Sequence, residues 1–293
     1  MKFFFLRKKI LQAKVETVKT LLDALPFIRE FRKEIVVIKY GGSAQTSPEL
    51  KEKFAEDILL MYLVGIKPVI VHGGGKKITD MLEALKIETE FIDGQRVTTK
   101  ETMRIVEMIL SGEINKEIVS LLNSHDAKAI GISGKDAHFI RARAKEFSKW
   151  GLTGNITHVK ADVVLNLIRE GFIPVIAPIA AGEEMGHPGY NINADLCASY
   201  VAKAIGANKI IFLTDTPGVL NKEKQLLTTL TKDEVKVLKE NGIIHGGMVP
   251  KVDACLEAID GGVQKAHIID GRLEHSMLLE LFTSEGVGTQ IVK

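Results

Sequence analysis

Apolar positions recur along this chain in two periods. Short runs rich in Val, Ile and Ala at 35–39, 69–71, 129–133, 173–177, 209–214, 266–269 and 287–291 read as strands buried on both faces. Between them the three-and-four spacing of amphipathic helices predicts helices over 47–64, 76–85, 98–110, 113–123, 161–170, 193–205, 231–241, 249–259 and a short one from 275. The helix over 47–64 turns Leu50, Phe54, Ile58 and Met61 inward, and Ile78, Leu82 and Leu85 form the stripe of the next. Thr98 and Glu101 have the spacing of a capping box. Strand and helix alternate almost throughout, which predicts an α/β fold: a mostly parallel open sheet with helices on both faces. Only 138–157, charged and glycine-containing, reads as strands and turns outside that alternation.

Ahead of the first strand the pattern differs. Leu11, Val15, Val18, Leu22 and Leu25 step by four and three, so an N-terminal amphipathic helix covers about 6–25 and is expected to stop at Pro26. One such helix cannot bury its stripe alone. It packs on its own domain or on another chain, and the sequence leaves both open. No linker divides the rest, so two lobes would share one sheet.

Composition narrows the function. The 293 residues are 45% hydrophobic and 26% charged, with a net charge of +2, too small to predict nucleic acid or a membrane surface as partner. No apolar run approaches the ~20 residues of a membrane span. The phenylalanine-rich start has too short an apolar core for a signal peptide. Cys197 and Cys255 read as buried thiols of a reducing compartment. The expected location is cytoplasmic.

The candidate chemistry gathers at strand ends and helix starts. Val71-His72-Gly73-Gly74-Gly75 passes from strand to helix through three glycines, where one suffices for a turn. Backbone N–H groups there approach an anion closely, with the positive end of a helix behind them. Lys39-Tyr40-Gly41-Gly42 supplies a strand-end lysine and a second glycine turn. Arg96, between Gly94 and Thr98, suits a bidentate grip on a carboxylate. Asn191, Asn193 and Asp195 open a helix with more polar groups than one cap needs. Thr214 to Gly218 leads from strand to turn, and its Asp215 reads as a turn residue or a ribose ligand. Lys251 follows Gly246-Gly247-Met248-Val249-Pro250 at a helix start, where the helix dipole disfavours a cation unless an anion is near. Two lysines, two glycine turns and an aspartate suit phosphoryl transfer, which needs positioning and charge neutralisation more than covalent chemistry.

On these motifs, in order across residues 30–293, the chain resembles the amino acid kinase family, and within it the members that phosphorylate N-acetyl-L-glutamate. The resemblance implies transfer of the ATP γ-phosphoryl to the side-chain carboxylate of that substrate, in arginine biosynthesis. Lys39, Lys251 and Asp195 would be catalytic. Gly74, Gly75, Arg96, Asn191 and Asn193 would bind the amino acid, and Gly41, Gly42, Gly73, Thr214, Asp215 and Gly218 the phosphates and nucleotide. Mg²⁺ would be carried by ATP, with no protein metal ligand. Residues 1–29 would be an oligomerisation helix and 30–293 a single kinase domain, its N-lobe (about 30–178) holding the amino acid and its C-lobe (about 179–293) ATP. Members inhibited by L-arginine carry such a helix, which joins dimers into a hexamer. His267, Glu280 and Gly286 stand where their arginine ligands would. The alternatives are another small-carboxylate kinase of this fold, for aspartate or carbamate, or a non-catalytic sensor.

Overall fold

The computed structural model describes residues 2–92 and 94–293. Met1, Asp93 and the side chains of residues 2–10 and Ala13 lie outside that description, and the phenylalanine-rich start falls there. Eight strands form one sheet: β1 (Ile35–Tyr40), β2 (Lys67–His72), β3 (Ala129–Ser133), β4 (Ile173–Ala177), β5 (Lys209–Thr214), β6 (Thr229–Thr231), β7 (Lys265–Asp270) and β8 (Thr289–Val292). Their order is β6-β8-β7-β5-β1-β2-β4-β3. Only β7 and β8 pair antiparallel. Val36, Val37 and Ile38 of β1 and Val69, Ile70 and Val71 of β2 are fully buried, as strands with helices on both faces must be. Each such side chain contributes about 1.5–3 kcal/mol by leaving water.

The chain runs one way from β1 to β2 and on to the edge strand β3, doubles back to insert β4 between those two, and then crosses to the other side of β1 with β5. That last crossing opens a crevice beyond the carboxyl ends of β1, β2 and β5, where open α/β sheets bind ligands. Lys39 lies there, in register with Val71 and Phe212.

The α-helices of seven residues or more are α1 (Lys2–Phe31), α2 (Pro48–Leu63), α3 (Gly75–Ala84), α4 (Lys100–Glu107), α5 (Asn115–Ser124), α6 (Ala161–Arg169), α7 (Ala194–Ala204), α8 (Lys232–Glu240), α9 (Met248–Asp260) and α10 (Ser276–Phe282). Small residues let α7 and α9 lie close. Ala198, Ala202, Ala254, Cys255 and Ala258 are fully buried, and Ser199 Oγ of α7 donates to Ala254 O of α9 at 2.7 Å. Both helix N-termini therefore reach the crevice side by side. Both cysteines are buried and free.

Several expectations change. The first helix does not stop at Pro26; α1 continues to Phe31. Proline forfeits one hydrogen bond, but Phe31 is buried in the domain and Phe27 packs on the core, which holds the last turn helical. Nearer the start, Leu11, Val15, Val18 and Leu22 stay exposed, so that stripe is not packed on its own domain. The helices expected over 98–110 and 113–123 are joined by a π-helical turn, Met108–Ile114. The cap of α4 is Thr99, whose side chain accepts from Thr102 N, and not Thr98. Leu85 lies beyond α3 and is half exposed.

Three antiparallel pairs stand outside the sheet: Phe91–Ile92 with Gln95–Arg96, Ile140–Ala144 with Gly154–Val159, and Ile179–Ala180 with Tyr190–Asn191.

Candidate active site

The charge cluster is built by β1, α7 and α9. Asn193 caps α7, its Oδ1 accepting from Asp195 N (2.9 Å) and Leu196 N (3.1 Å). That cap aims the first-turn Asp195 at the end of β1, where its Oδ1 lies 3.0 Å from Lys39 Nζ. Its Oδ2 lies 3.7 Å from Lys251 Nζ, in the first turn of α9. Burial raises the Asp195 pKa, but the ammonium groups of Lys39 and Lys251 prevail and hold it below the usual carboxylate range. Asp195 is ionised and is no base. It neutralises one of two ammonium groups, so the cluster keeps a net positive charge beside the N-termini of α7 and α9. Such a place favours an anion.

Two glycine turns flank this cluster. At Gly41, in extended backbone, a Cβ would stand 2.8 Å from Lys39 Nζ, so the lysine occupies the space a side chain would take. Gly42 has φ +68°, and beyond it Ser43 N donates to Asp215 Oδ1 at 2.7 Å. That bond latches the first turn to the end of β5. Gly73 N donates to Tyr40 O at 2.8 Å, joining the second turn to the first. Gly74 is needed for close approach: a Cβ there would be 2.3 Å from Ile114 Cδ1 and 2.7 Å from Leu110 Cδ2.

Behind the second turn His72 is fully buried, and burial pushes its imidazole down to about 4. The ring is neutral. Its Nδ1–H donates to Gly73 O (3.0 Å), leaving Nε2 to accept from Asn115 Nδ2 (3.2 Å), which also donates to Val175 O of β4.

A cavity of about 420 Å³ opens at the two turns, with Gly42, Ser43, Gly74, Gly75, Lys77 and Asp215 in its wall. Lys39, Asp195, Lys251 and Arg96 stand outside that wall. The cavity thus covers the turn side of the crevice and not the charge cluster.

Arg96 is buried without a carboxylate within ion-pair distance among the described residues. Neutral acceptors hold it: Thr89 Oγ1 (2.7 Å), Thr79 Oγ1 (2.8 Å) and Gly75 O (3.1 Å), with the Phe91 ring 4.6 Å away. The structure thus brings Arg96 onto the second glycine turn as an unneutralised cation. Asn191, half-buried, joins it through Thr98, whose Oγ1 accepts from Asn191 Nδ2 at 3.1 Å.

The remaining candidates are dispersed. Thr214 is buried at the end of β5, and its carbonyl accepts from Gly271 N. Gly218, at φ +144°, packs on β8: a Cβ there would be 2.5 Å from Thr289 Oγ1, which accepts from Val219 N. Its glycine is explained by packing. His267, Glu280 and Gly286 come together elsewhere. They line a second cavity of about 520 Å³, closed on one side by Phe27, Glu30 and Phe31 of α1. There His267 Nδ1 and Glu280 Oε1 are 2.5 Å apart, and Glu280 Oε2 accepts from Val287 N and Gly288 N. Burial lowers the His267 pKa. Burial also opposes the charge on Glu280, but the bond from His267 and the two backbone bonds outweigh it and keep the carboxylate ionised. His267 Nε2 is buried without a hydrogen-bond partner.

Sequence reasoning missed His72 as a strut, Asn115, and Thr153, whose Oγ1 donates to Arg96 O at 2.6 Å. His72 was visible inside the glycine motif. Asn115 and Thr153 carry no local signal, since their partners are 43 and 57 positions away.

A parallel sheet that ends in paired glycine turns, two lysines and a bridging aspartate defines a phosphoryl-transfer class. The pattern of the amino acid kinase family matches residues 34–270, and the chain belongs to that family. It is similar end to end to acetylglutamate kinases: 82% identical over 281 residues to that of Sulfurimonas denitrificans, covering 96% of this chain and 99% of the relative. The Nitratiruptor acetylglutamate kinase is 70% identical over 282 residues, with the same coverage of each chain. A solved N-acetylglutamate synthase from Neisseria gonorrhoeae shares the fold at TM-score 0.82 and 24% identity over 94% of this chain, which spans 63% of that chain's length.

Proposed function

We propose that the chain transfers the γ-phosphoryl of ATP to the side-chain carboxylate of N-acetyl-L-glutamate, as a step of arginine biosynthesis. The observation that carries this is Lys39–Asp195–Lys251 between the glycine turns, in a chain 82% identical to an acetylglutamate kinase. The acceptor carboxylate, with a pKa near ~4.3, is already ionised at neutral pH, so the site needs no general base and offers none. Lys39 and Lys251 neutralise the phosphoryl in transit, and Asp195 holds them apart and oriented. Gly41, Gly42 and Gly73 direct backbone N–H groups at phosphate oxygens. Gly74, Gly75, Arg96, Asn191 and Asn193 hold the amino acid, Asn193 by its amide because its oxygen caps α7. Thr214, Asp215 and Gly218 border the nucleotide. In this reading residues 30–178 serve the amino acid and 179–293 ATP, with 1–29 left for assembly.

The donor set fits a polyphosphate: two lysines, glycine N–H groups and two helix N-termini. Mg²⁺ would come with the nucleotide and would spread the negative charge of its phosphates. Among the described residues no three acidic, histidine or cysteine side chains cluster as a metal site of the protein's own, and no helix is long and apolar enough to cross a membrane. We place the reaction in the cytoplasm, where buried thiols stay reduced.

L-Arginine is read as a feedback inhibitor in the second cavity. Supporting this are the unpartnered acceptor His267 Nε2 and Glu30 for a guanidinium, and Lys209 and Lys265 for a carboxylate, all in one wall. The exposed stripe of α1 supports pairing of helices between subunits, which would join dimers into a hexamer. Coupled measurement of ADP release with N-acetylglutamate, aspartate and carbamate, with and without arginine, tests the proposal. Turnover of aspartate or carbamate as fast as acetylglutamate, or none with acetylglutamate, overturns it.

A further inference from the structure

Two threonines that have no role yet in the site are buried beside it. Thr98 is fully buried and Thr153 is 3% exposed. Thr98 follows the Gln95–Arg96 strand, Thr153 precedes the Gly154–Val159 strand, and Asn191 belongs to the third small hairpin. The three segments are already stitched by backbone bonds: Thr98 N to Trp150 O, Leu152 N to Thr98 O and Asn191 N to Leu152 O. Thr99, not Thr98, caps α4. The two hydroxyls are thus not required for any backbone pairing or cap, and valine would fill the same volume without a buried polar group.

What the hydroxyls do is visible in their contacts. Thr153 Oγ1 lies 2.6 Å from Arg96 O, the two hydroxyl oxygens are 2.9 Å apart, and Thr98 Oγ1 lies 3.1 Å from Asn191 Nδ2. A weaker contact runs from Thr98 Oγ1 to Arg96 O at 3.2 Å. Proton counting fixes the direction of the short chain. The carbonyl of Arg96 only accepts, so Thr153 donates to it and Thr98 donates to Thr153. The Asn191 contact then needs a proton from Asn191, which puts Nδ2, and not Oδ1, toward Thr98. One chain of hydrogen bonds therefore runs Asn191 → Thr98 → Thr153 → Arg96, pinning the backbone of Arg96 and the amide orientation of Asn191 together.

We propose that Thr98 and Thr153 are positioning residues that hold Arg96 and Asn191 in the mutual geometry required to receive the acetylglutamate α-carboxylate. The proposal rests on the reading of those two residues as the substrate grip. Because that grip acts alike before and during transfer, its loosening appears in KM for acetylglutamate.

The test is steady-state kinetics of the full-length chain carrying Thr153→Val, Thr153→Ser or Thr98→Val. Thr153→Val leaves Arg96 O and Thr98 without the partner between them, and is expected to raise KM for acetylglutamate on the order of tenfold. Its kcat should stay within about twofold and KM for ATP should not move. Thr153→Ser restores the hydroxyl and should restore KM; Thr98→Val should reproduce the defect. Should Thr153→Val fold poorly, Thr153→Cys keeps the volume with a weaker donor and gives the same split. A fall in kcat at constant KM, an equal rise in KM for ATP, or failure of serine to rescue overturns the proposal. Arg96→Ala is measured alongside: an unchanged acetylglutamate KM there refutes the substrate-grip reading itself, whatever the threonines do.

Discussion

Replacing Gly41 by alanine is expected to slow turnover while leaving the fold intact. At φ −172° and ψ −173° any residue adopts this backbone, so alanine brings no strain. The added Cβ meets only the Lys39 side chain, at 2.8 Å from Nζ and 3.2 Å from Cε. An ammonium at the end of a flexible chain yields before the backbone does, and it must retreat by about 0.6 Å to reach the 3.4 Å of ordinary contact. A reacting group misplaced by about 1 Å costs roughly 10²-fold in rate, so kcat should fall between about ten- and a hundredfold, some 1.4–2.7 kcal/mol of transition-state stabilisation. The melting temperature should move by less than about 2 °C, because no core contact changes. ADP release under saturating Mg-ATP and acetylglutamate gives kcat, and calorimetry gives the melting temperature. The decisive comparison adds the change to a Lys39→Met background. With the displaced ammonium gone, alanine at position 41 should cost nothing more. A further tenfold loss in that background would refute the argument, since it would mean Gly41 acts on something other than Lys39.

Lys251→Met should lower kcat about 10²-fold or more with little change in either KM, and a variant altered only in ATP affinity would remove Lys251 from the transition state. His72, neutral and pushed down to about 4 from an ordinary value near 6.5, takes up a proton in the unfolded chain before it does so in the native one. Its contribution to stability is therefore complete above about pH 6.5 and lost as pH falls toward about 4, a change of about 3 kcal/mol. Urea unfolding of His72→Gln should show a flatter acid limb than the parent between those values; identical slopes would contradict the assignment. Deleting residues 1–25 should leave an active, smaller assembly that arginine no longer inhibits, and a hexamer in light scattering after the deletion would refute the assembly role of α1.

The sheet was legible because its strands are short, β-branched and apolar on both faces, and seven of the eight lie within two residues of the expected positions. β6 was missed, since three residues, Thr229–Thr231, carry no period. The antiparallel β8 was placed two residues early, its apolar run starting in the loop at Val287. Lys251 was readable because the helix dipole disfavours a cation at a helix start, Asp195 because it adds to more polar groups than one cap needs, and Lys39 because it stands beside a glycine turn. The wrong choice of Thr98 over Thr99 as cap has a plain cause: adjacent threonines offer the same side chain, and Glu101 favoured the first. Tertiary demand decided otherwise, drawing Thr98 toward Thr153 and Asn191. Nothing in the local pattern announces the π-helical turn, whose Ile109, Leu110 and Ile114 continue the helical stripe.

That turn also sets how this chain can change length over generations. A π-turn holds one more residue than the α-helix it interrupts. Losing the extra residue between Met108 and Ile114 would restore a regular helix and leave the turns on either side in nearly the same phase, whereas losing one from a regular α-helix swings everything after it by about 100° about the axis. Asn115 would keep its bonds to His72 and Val175, so the strut behind the second glycine turn would survive that deletion. The same loss in the exposed loop near Met185, whose side chain is fully in solvent, would move no element of the crevice. Gaps among relatives of this chain should accordingly crowd into that loop and, within this long helix, into 108–114, neither of which supplies a residue of the proposed substrate grip.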